Sequence, residues 1–304
     1  MRQNNNYHLF KILFKKAKKE KFAIGCYNFN NFDQVKTLLQ IANETNTPLM
    51  LAISQKTYLF LKLDFKIIRT IINNLIKNLN IEIPVLLHFD HGEDFLLVIQ
   101  ALEAGFDSVM YDGSKNSIAE NIKVAKQIIQ FKKNNQINAF LETEIGHVAG
   151  KKDDFLNKRS GVLCNLEDVA KMNQINVDLI AASINNIHGT YPKNWKGLNF
   201  ELLSKINQIC KNKNLVLHGG SGIDEAQVKK AIANGIVKLN IGSILSKNYL
   251  EMLQKYFLLK FQLRPFGYKL RTVNSYTDQG LQKLFISFSK LFNCFNKANL
   301  LNLK

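Results

Sequence analysis

Four of the six histidines in this 304-residue chain, His88, His91, His188 and His218, stand at the ends of short apolar runs. Three of them are followed directly by glycine: His91-Gly92, His188-Gly189 and His218-Gly219. An apolar strand that delivers an imidazole to a glycine-relieved turn, three times over, predicts three ligands converging on one cation. Three neutral imidazoles with an open fourth position are the donor set of a catalytic zinc rather than of a structural one. A lone histidine is more often a hydrogen-bonded structural residue, so it is the coincidence that carries the reading. Acids occupy the same kind of position: Asp90, Asp112, Glu142 and Glu144. Asp112 and Glu144 are expected either to form an alternative or second metal position or to orient the imidazoles. The competing reading of both is a solvated or salt-bridged strand end.

Two further segments, HGGSG at 218–222 and LNIGSI at 239–244, are small and polar. Gly219, Gly220 and Gly242 would let a phosphate approach backbone N–H groups, and Ser221 and Ser243 would add hydroxyl donors.

The elements that must position these groups follow from the apolar pattern. Eight apolar runs begin at Phe22, Pro48, Ile83, Ser108, Asn138, Val177, Asn214 and Ile236, and stretches of helical spacing fill the gaps between them. Those stretches cover residues 32–43, 65–79, 93–104, 118–131, 166–172, 200–211 and 225–233. Nearly continuous apolar strands alternating with helices predict a parallel sheet covered on both sides, and eight such units close a barrel. The expected fold is a TIM (β/α)8 barrel with an extra N-terminal helix and C-terminal helices. It is read as a single domain over 1–304, with a barrel core at about 22–250 and a helical extension at 251–304. In such a barrel the chemistry lies at the C-terminal ends of the strands, where all the residues named above fall, together with Ser54 and Asn240.

Composition narrows the alternatives. With 46% hydrophobic and 21% charged residues, the chain is not a disordered one. The 41 basic against 24 acidic residues give a formal charge of +17, which favours anionic partners. Only five of the basic residues are arginine, however, and the wealth of Lys, Asn, Ile, Leu and Phe matches AT-rich codons, which argues against a nucleic-acid surface. Cys26, Cys164, Cys210 and Cys294 are widely spaced without a CxxC, so they read as reduced cytosolic thiols rather than a zinc ribbon or disulfide framework. The basic amphipathic N-terminus lacks the apolar core of a secretory signal, and no run approaches 18 apolar residues. A cytoplasmic protein without a membrane segment is expected.

The strings HFDHG, LETEIG, NNIHG, LHGGSG and LNIGS, in that order and spacing, resemble the class II, metal-dependent fructose-bisphosphate aldolases and their tagatose-bisphosphate relatives. The resemblance runs from KKAKKEKFAIGCYNFNN near the N-terminus to at least Ser243. It implies that His91, His188 and His218 ligate zinc, and that Asp90 exchanges a proton with the C4 hydroxyl of the substrate. It further implies that Asp112 and Glu144 belong to an alternative or second cation site, divalent or monovalent. Gly189, Gly219, Gly220, Ser221, Asn240, Ile241, Gly242 and Ser243 would bind dihydroxyacetone phosphate, with Ser54 near the aldehyde half. The implied activity is the reversible cleavage of fructose 1,6-bisphosphate to dihydroxyacetone phosphate and glyceraldehyde 3-phosphate in glycolysis, by a homo-oligomer, dimer or tetramer. The alternatives are a tagatose-bisphosphate aldolase, or a diverged barrel that binds metal and sugar phosphate with little catalysis.

Two departures from the family pattern bear on those alternatives. After the ExE motif, Ala149 stands for the first of two expected glycines and Lys152 for an expected glutamate, which Asp153 or Asp154 could replace if the loop slips by a residue or two. A protonated lysine is no general base at neutral pH unless its pKa is strongly lowered. Gly242 stands where relatives often carry Asp or Ala, which weakens any choice between the fructose and tagatose epimers. For the second phosphate, Lys193, Arg264 and Arg271 are the basic candidates.

Overall fold

Each apolar run builds a strand, and the strands pair side by side in chain order. They are β1 (Ile24–Asn28), β2 (Leu49–Ser54), β3 (Val85–Gly92), β4 (Ser108–Tyr111), β5 (Phe140–Ile145), β6 (Leu179–Ala182), β7 (Asn214–Leu217) and β8 (Ile236–Ile241). All neighbouring pairs are parallel, and β1 pairs with β8, so the sheet closes into a barrel as expected. The computed structural model describes residues 2–148, 150, 162–258 and 269–301.

Side chains two apart on a strand share a face. Lys238 and Asn240 on β8, Glu142 and Glu144 on β5, and His88 and Asp90 on β3 are three such polar pairs, and all six residues are buried. Register sets three of them against neighbouring strands: Ser54 pairs with Asp90, His88 with Ser108, and Cys26 with Asn240.

Helices α1 (Arg2–Glu20), α2 (Phe32–Glu44), α3 (Gln55–Leu61), α4 (Phe65–Asn78), α5 (Phe95–Glu103) and α6 (Ile118–Asn134) lie in the first half of the chain. They are followed by α7 (Leu166–Asn173), α8 (Phe200–Ile209), α9 (Glu225–Ala233), α10 (Ser243–Tyr256) and α11 (Leu270–Leu291). The extra helix α1 lies across the N-terminal end of the barrel, where Tyr7 and Phe14 pack on the ring of Phe140 at the start of β5. Its buried Phe10, Leu13 and Phe14 contribute about 1.5–3 kcal/mol each by leaving water. At the other end of the chain, Phe285 of α11 packs against Tyr27 of β1 with ring centroids 5.0 Å apart.

Helices α2 to α9 each begin with an Asn, Ser or Asp whose side chain accepts a backbone N–H of the first turn. The helix α3 was not expected from the sequence. It has seven residues, none of them fully buried, with only Tyr58 and Leu61 resting on the core, too short a run for helical spacing to stand out; Ser54 caps its start and Lys62, at φ 52°, ends it in the left-handed conformation. No described helix is long and apolar enough to cross a membrane.

Candidate active site

His91 is placed by an irregularity in β3. The register against β4 shifts between Phe89 and Gly92, and His91 takes φ 51°, a conformation unusual for a residue with a side chain. Gly92 makes this possible, since a Cβ there would meet Val98, the Met110 carbonyl and Phe89 within 2.8 Å. His91 Nδ1 lies 2.7 Å from Asp112 Oδ2, and the other oxygen of Asp112 accepts a 2.6 Å bond from the Ser114 hydroxyl. Ser114 in turn lies 3.2 Å from His147 Nδ1.

His218, at the end of β7, is held in the same manner. Its Nε2 is 2.9 Å from Glu142 Oε1, while its Nδ1 faces His91 Nε2 at 3.0 Å. Each ring therefore donates one N–H to a carboxylate and turns its remaining nitrogen toward the other ring, a contact that requires a proton or a metal cation between them. His188 completes the group, its ring centroid 5.0 Å from that of His91 and 5.7 Å from that of His218. One nitrogen from each of the three rings lies within 4.8 Å of the other two, so the donor set fits a single cation. Carboxylates behind two of the three imidazoles are the usual means of fixing tautomer and raising basicity in such sites.

A second group of the same compactness consists of His91, Asp112 and Glu144. Glu144 is buried and its Oε1 accepts the Val148 N–H at 3.2 Å.

Asp90 lies beside this centre and is gripped from both sides. Asn28 Nδ2 donates to its Oδ2 at 2.8 Å and Asn240 Nδ2 to its Oδ1 at 2.9 Å, with His88 Nε2 3.6 Å away. Burial alone would push the carboxyl up, but the charges of His91 and His218 and the neighbouring His88 hold it well below the ordinary carboxylate range. It is therefore a fixed carboxylate, able to accept a proton from a substrate hydroxyl. The amide oxygen of Asn240 is buried and has no hydrogen-bond partner among the described residues.

Beneath the rings, Lys238 is fully buried and donates to Glu142 Oε2 at 2.6 Å, with His88 Nε2 3.4 Å away. His88 Nδ1 is 2.8 Å from the Ser108 hydroxyl. Burial opposes charge on both partners, yet Lys238 draws the Glu142 carboxyl down to about 2 and Glu142 holds the lysine above its ordinary value. Burial pushes His88 and His218 below the ordinary imidazole range.

The small segments line one side of this face. Gly219 has φ 70°, and a Cβ there would overlap the Ile187 carbonyl oxygen. The Tyr191 hydroxyl ties the same place, accepting from Ile187 N at 2.9 Å and donating to the Gly219 carbonyl at 3.0 Å. Gly189 is also left-handed, at φ 90°. Gly220–Gly222 form a 3-10 turn, and the Ser221 hydroxyl accepts the N–H of Gly242 at 3.3 Å. Asn240 and Ile241 end β8, and Ser243 opens α10. Unlike α2 to α9, α10 has no side-chain cap: Gly242 occupies the capping position. Gly242 is not demanded by the backbone, because a Cβ there would meet nothing nearer than Asn28 at 3.7 Å.

Of the sequence candidates, the three histidines and Asp90, Asp112, Glu144 and Asn240 are thus brought together, with the small segments beside them. Ser54 is level with Asp90 in the sheet, but its hydroxyl is engaged in capping α3, accepting from Thr57 N at 3.2 Å. Ala149, Lys152, Asp153, Asp154 and Arg264 lie outside the described residues. Lys193 and Arg271 are exposed. Sequence reasoning assigned no role to Lys238, Glu142, His88, Asn28 or Tyr191. The two-residue alternation from Asn240, Glu144 and Asp90 was the available signal for the first three; Asn28 and Tyr191 carried none.

The chain is similar to known proteins over most of its length. The model of the family "Fructose-bisphosphate aldolase class-II" matches residues 9–297. A fructose-bisphosphate aldolase of Mycoplasma genitalium is 40% identical over 247 residues, covering 81% of this chain and 83% of that protein. One of Ureaplasma parvum is 38% identical over 293 residues, covering 94% and 97%. The crystal structure of a fructose-bisphosphate aldolase from Campylobacter jejuni superposes with a TM-score of 0.79 at 25% identity, over 96% of each chain. The YdjI aldolase of Escherichia coli superposes at 0.78 with 23% identity, over 95% of this chain and 98% of that one, a likeness of fold alone.

Proposed function

Because the chain belongs to the class-II fructose-bisphosphate aldolase family, we propose that it cleaves fructose 1,6-bisphosphate reversibly to dihydroxyacetone phosphate and glyceraldehyde 3-phosphate. The observation that carries this reading is the meeting of His91 Nε2 and His218 Nδ1 at 3.0 Å, beside a carboxylate held by two amides. His91, His188 and His218 would hold the metal, for which we propose zinc on the nitrogen donor set. A second cation would fall to Asp112 and Glu144 with His91. When bound, the ion supplies Lewis-acid stabilisation of the negative charge that develops as the C3–C4 bond breaks.

The chain's own residues do the rest. Asp90 takes the proton of the C4 hydroxyl in cleavage and returns it in condensation; Asn28 and Asn240 prevent the carboxylate from turning away, which is catalysis by positioning. The buried Asn240 oxygen is suited to accept from a substrate hydroxyl. The uncapped first turn of α10, with Gly242 and Ser243, and the turn at Gly219, Gly220 and Ser221 offer backbone N–H groups and hydroxyls to a phosphate, with Gly189 opposite. Ser54 would stand at the aldehyde half, Ile241 serving through its backbone. The four cysteines are free and buried, which supports a reducing, cytoplasmic setting, and we take the protein to act in glycolysis as a homodimer.

The test is triose phosphate release from fructose 1,6-bisphosphate, compared with the tagatose epimer, with and without chelator and with zinc restored. Turnover lost on chelation and recovered with zinc is expected. Metal bound without turnover would overturn the catalytic reading and leave a sugar-phosphate binder.

A further inference from the structure

Among the described residues, Lys238 is the buried cation of the barrel interior that the chemistry above leaves without a task. Its ammonium is fully buried, 2.6 Å from Glu142 Oε2, and the other oxygen of Glu142 receives the Nε2–H of His218 at 2.9 Å. We propose that Lys238 is a positioning residue for the metal centre: it supplies the counter-charge that seats the Glu142 carboxylate, and through it presents Nδ1 of His218 to the cation.

The chain of contacts leaves little choice of arrangement. An ammonium has only donors, so Lys238 claims the Oε2 side of Glu142 and leaves Oε1 for the imidazole. With Nε2 committed to Glu142, Nδ1 is the nitrogen that faces His91. Without the lysine, Glu142 would be a buried carboxylate whose nearest compensation is the imidazole itself. With its Oε2 side unclaimed, the carboxylate would be free to turn, and Oε1 would no longer be fixed on Nε2 of His218. Burying a carboxylate without a partner is strongly unfavourable, so the pair stands or falls together. Lys238 does not touch the substrate face: its side chain lies under His88 and Glu142 with no exposed surface, so it is not placed to attack a carbonyl.

This inference rests on the three-histidine metal reading, and its test is metal affinity, measured apart from turnover by competition with a chromophoric chelator on metal-stripped protein titrated with zinc. Lys238→Met is expected to weaken zinc binding by about 10- to 100-fold, the range for lost orienting partners, and Glu142→Gln to weaken it as well. Because Lys238 acts only through Glu142, the double variant Lys238→Met/Glu142→Gln should bind zinc no more weakly than Glu142→Gln alone. That comparison decides the matter even if Lys238→Met by itself fails to fold. Wild-type affinity in Lys238→Met, or a further loss in the double variant beyond Glu142→Gln, would overturn the role of Lys238 while leaving the metal centre intact. Absence of zinc binding by the unaltered protein would overturn both.

Discussion

His91 and His218 turn ring nitrogens toward each other at 3.0 Å while Asp112 and Glu142 hold the opposite edge of each ring. Two acceptors at that separation repel unless a cation stands between them. The pair is thus suited to share a divalent ion.

Metal removal should therefore cost stability as well as activity. A ligand present at about 1,000 times its Kd stabilises the folded state by about 4 kcal/mol, so chelation is expected to lower the melting temperature by several degrees and zinc to restore it. Zinc titration of the stripped protein should also release protons, since the ion replaces any proton shared by the two rings. Calorimetry in buffers of different ionisation enthalpy checks the second point; a buffer-independent heat would contradict it.

Asp90→Asn should remove the proton acceptor while keeping the size of the side chain and one of its two amide contacts, the other oxygen being replaced by a donor. Turnover is expected to fall by about 10²- to 10⁴-fold, the usual worth of a general acid or base, with zinc content unchanged. A parallel loss of metal would show that Asp90 holds the centre together rather than handling a proton.

Two glycines on the same face should behave oppositely. Gly219→Ala places a Cβ on the Ile187 carbonyl at φ 70° and is expected to destabilise by about 1–3 kcal/mol or more and to raise KM. Gly242→Ala places its Cβ at ordinary contact distance, 3.7 Å, from Asn28 and should change stability by no more than about 0.5 kcal/mol. Urea midpoints and KM for the two variants test the contrast.

Acid should destabilise the metal-free protein in two stages. Burial lowers His88 and His218 from 6.5, so the unfolded chain binds more protons; their contribution is complete above pH 6.5 and is lost as pH falls below it. Glu142, drawn from 4.5 to about 2 against the opposing effect of burial, contributes fully above pH 4.5 and loses that contribution as pH falls toward 2. Urea midpoints of chelator-treated protein should decline from pH 7.5 to 5.5 and again below 4.5; a flat profile in the first interval would contradict the lowered histidines.

The amino-acid sequence by itself determined the strands, their number and the residues at their ends, because short continuous apolar runs and glycine-relieved turns are local properties. It marked His91, His188 and His218 by the glycine after each, and Asp90 by its neighbour. What it did not determine is which atoms meet. His91 and His218 are 127 residues apart, Asp90 and Asn240 150, and Glu142 and Lys238 96, and only barrel closure sets those distances. The tautomers of the two imidazoles and the burial of Lys238 follow from that closure. A histidine's ligating nitrogen is chosen by what binds the other one, and that partner comes from another strand.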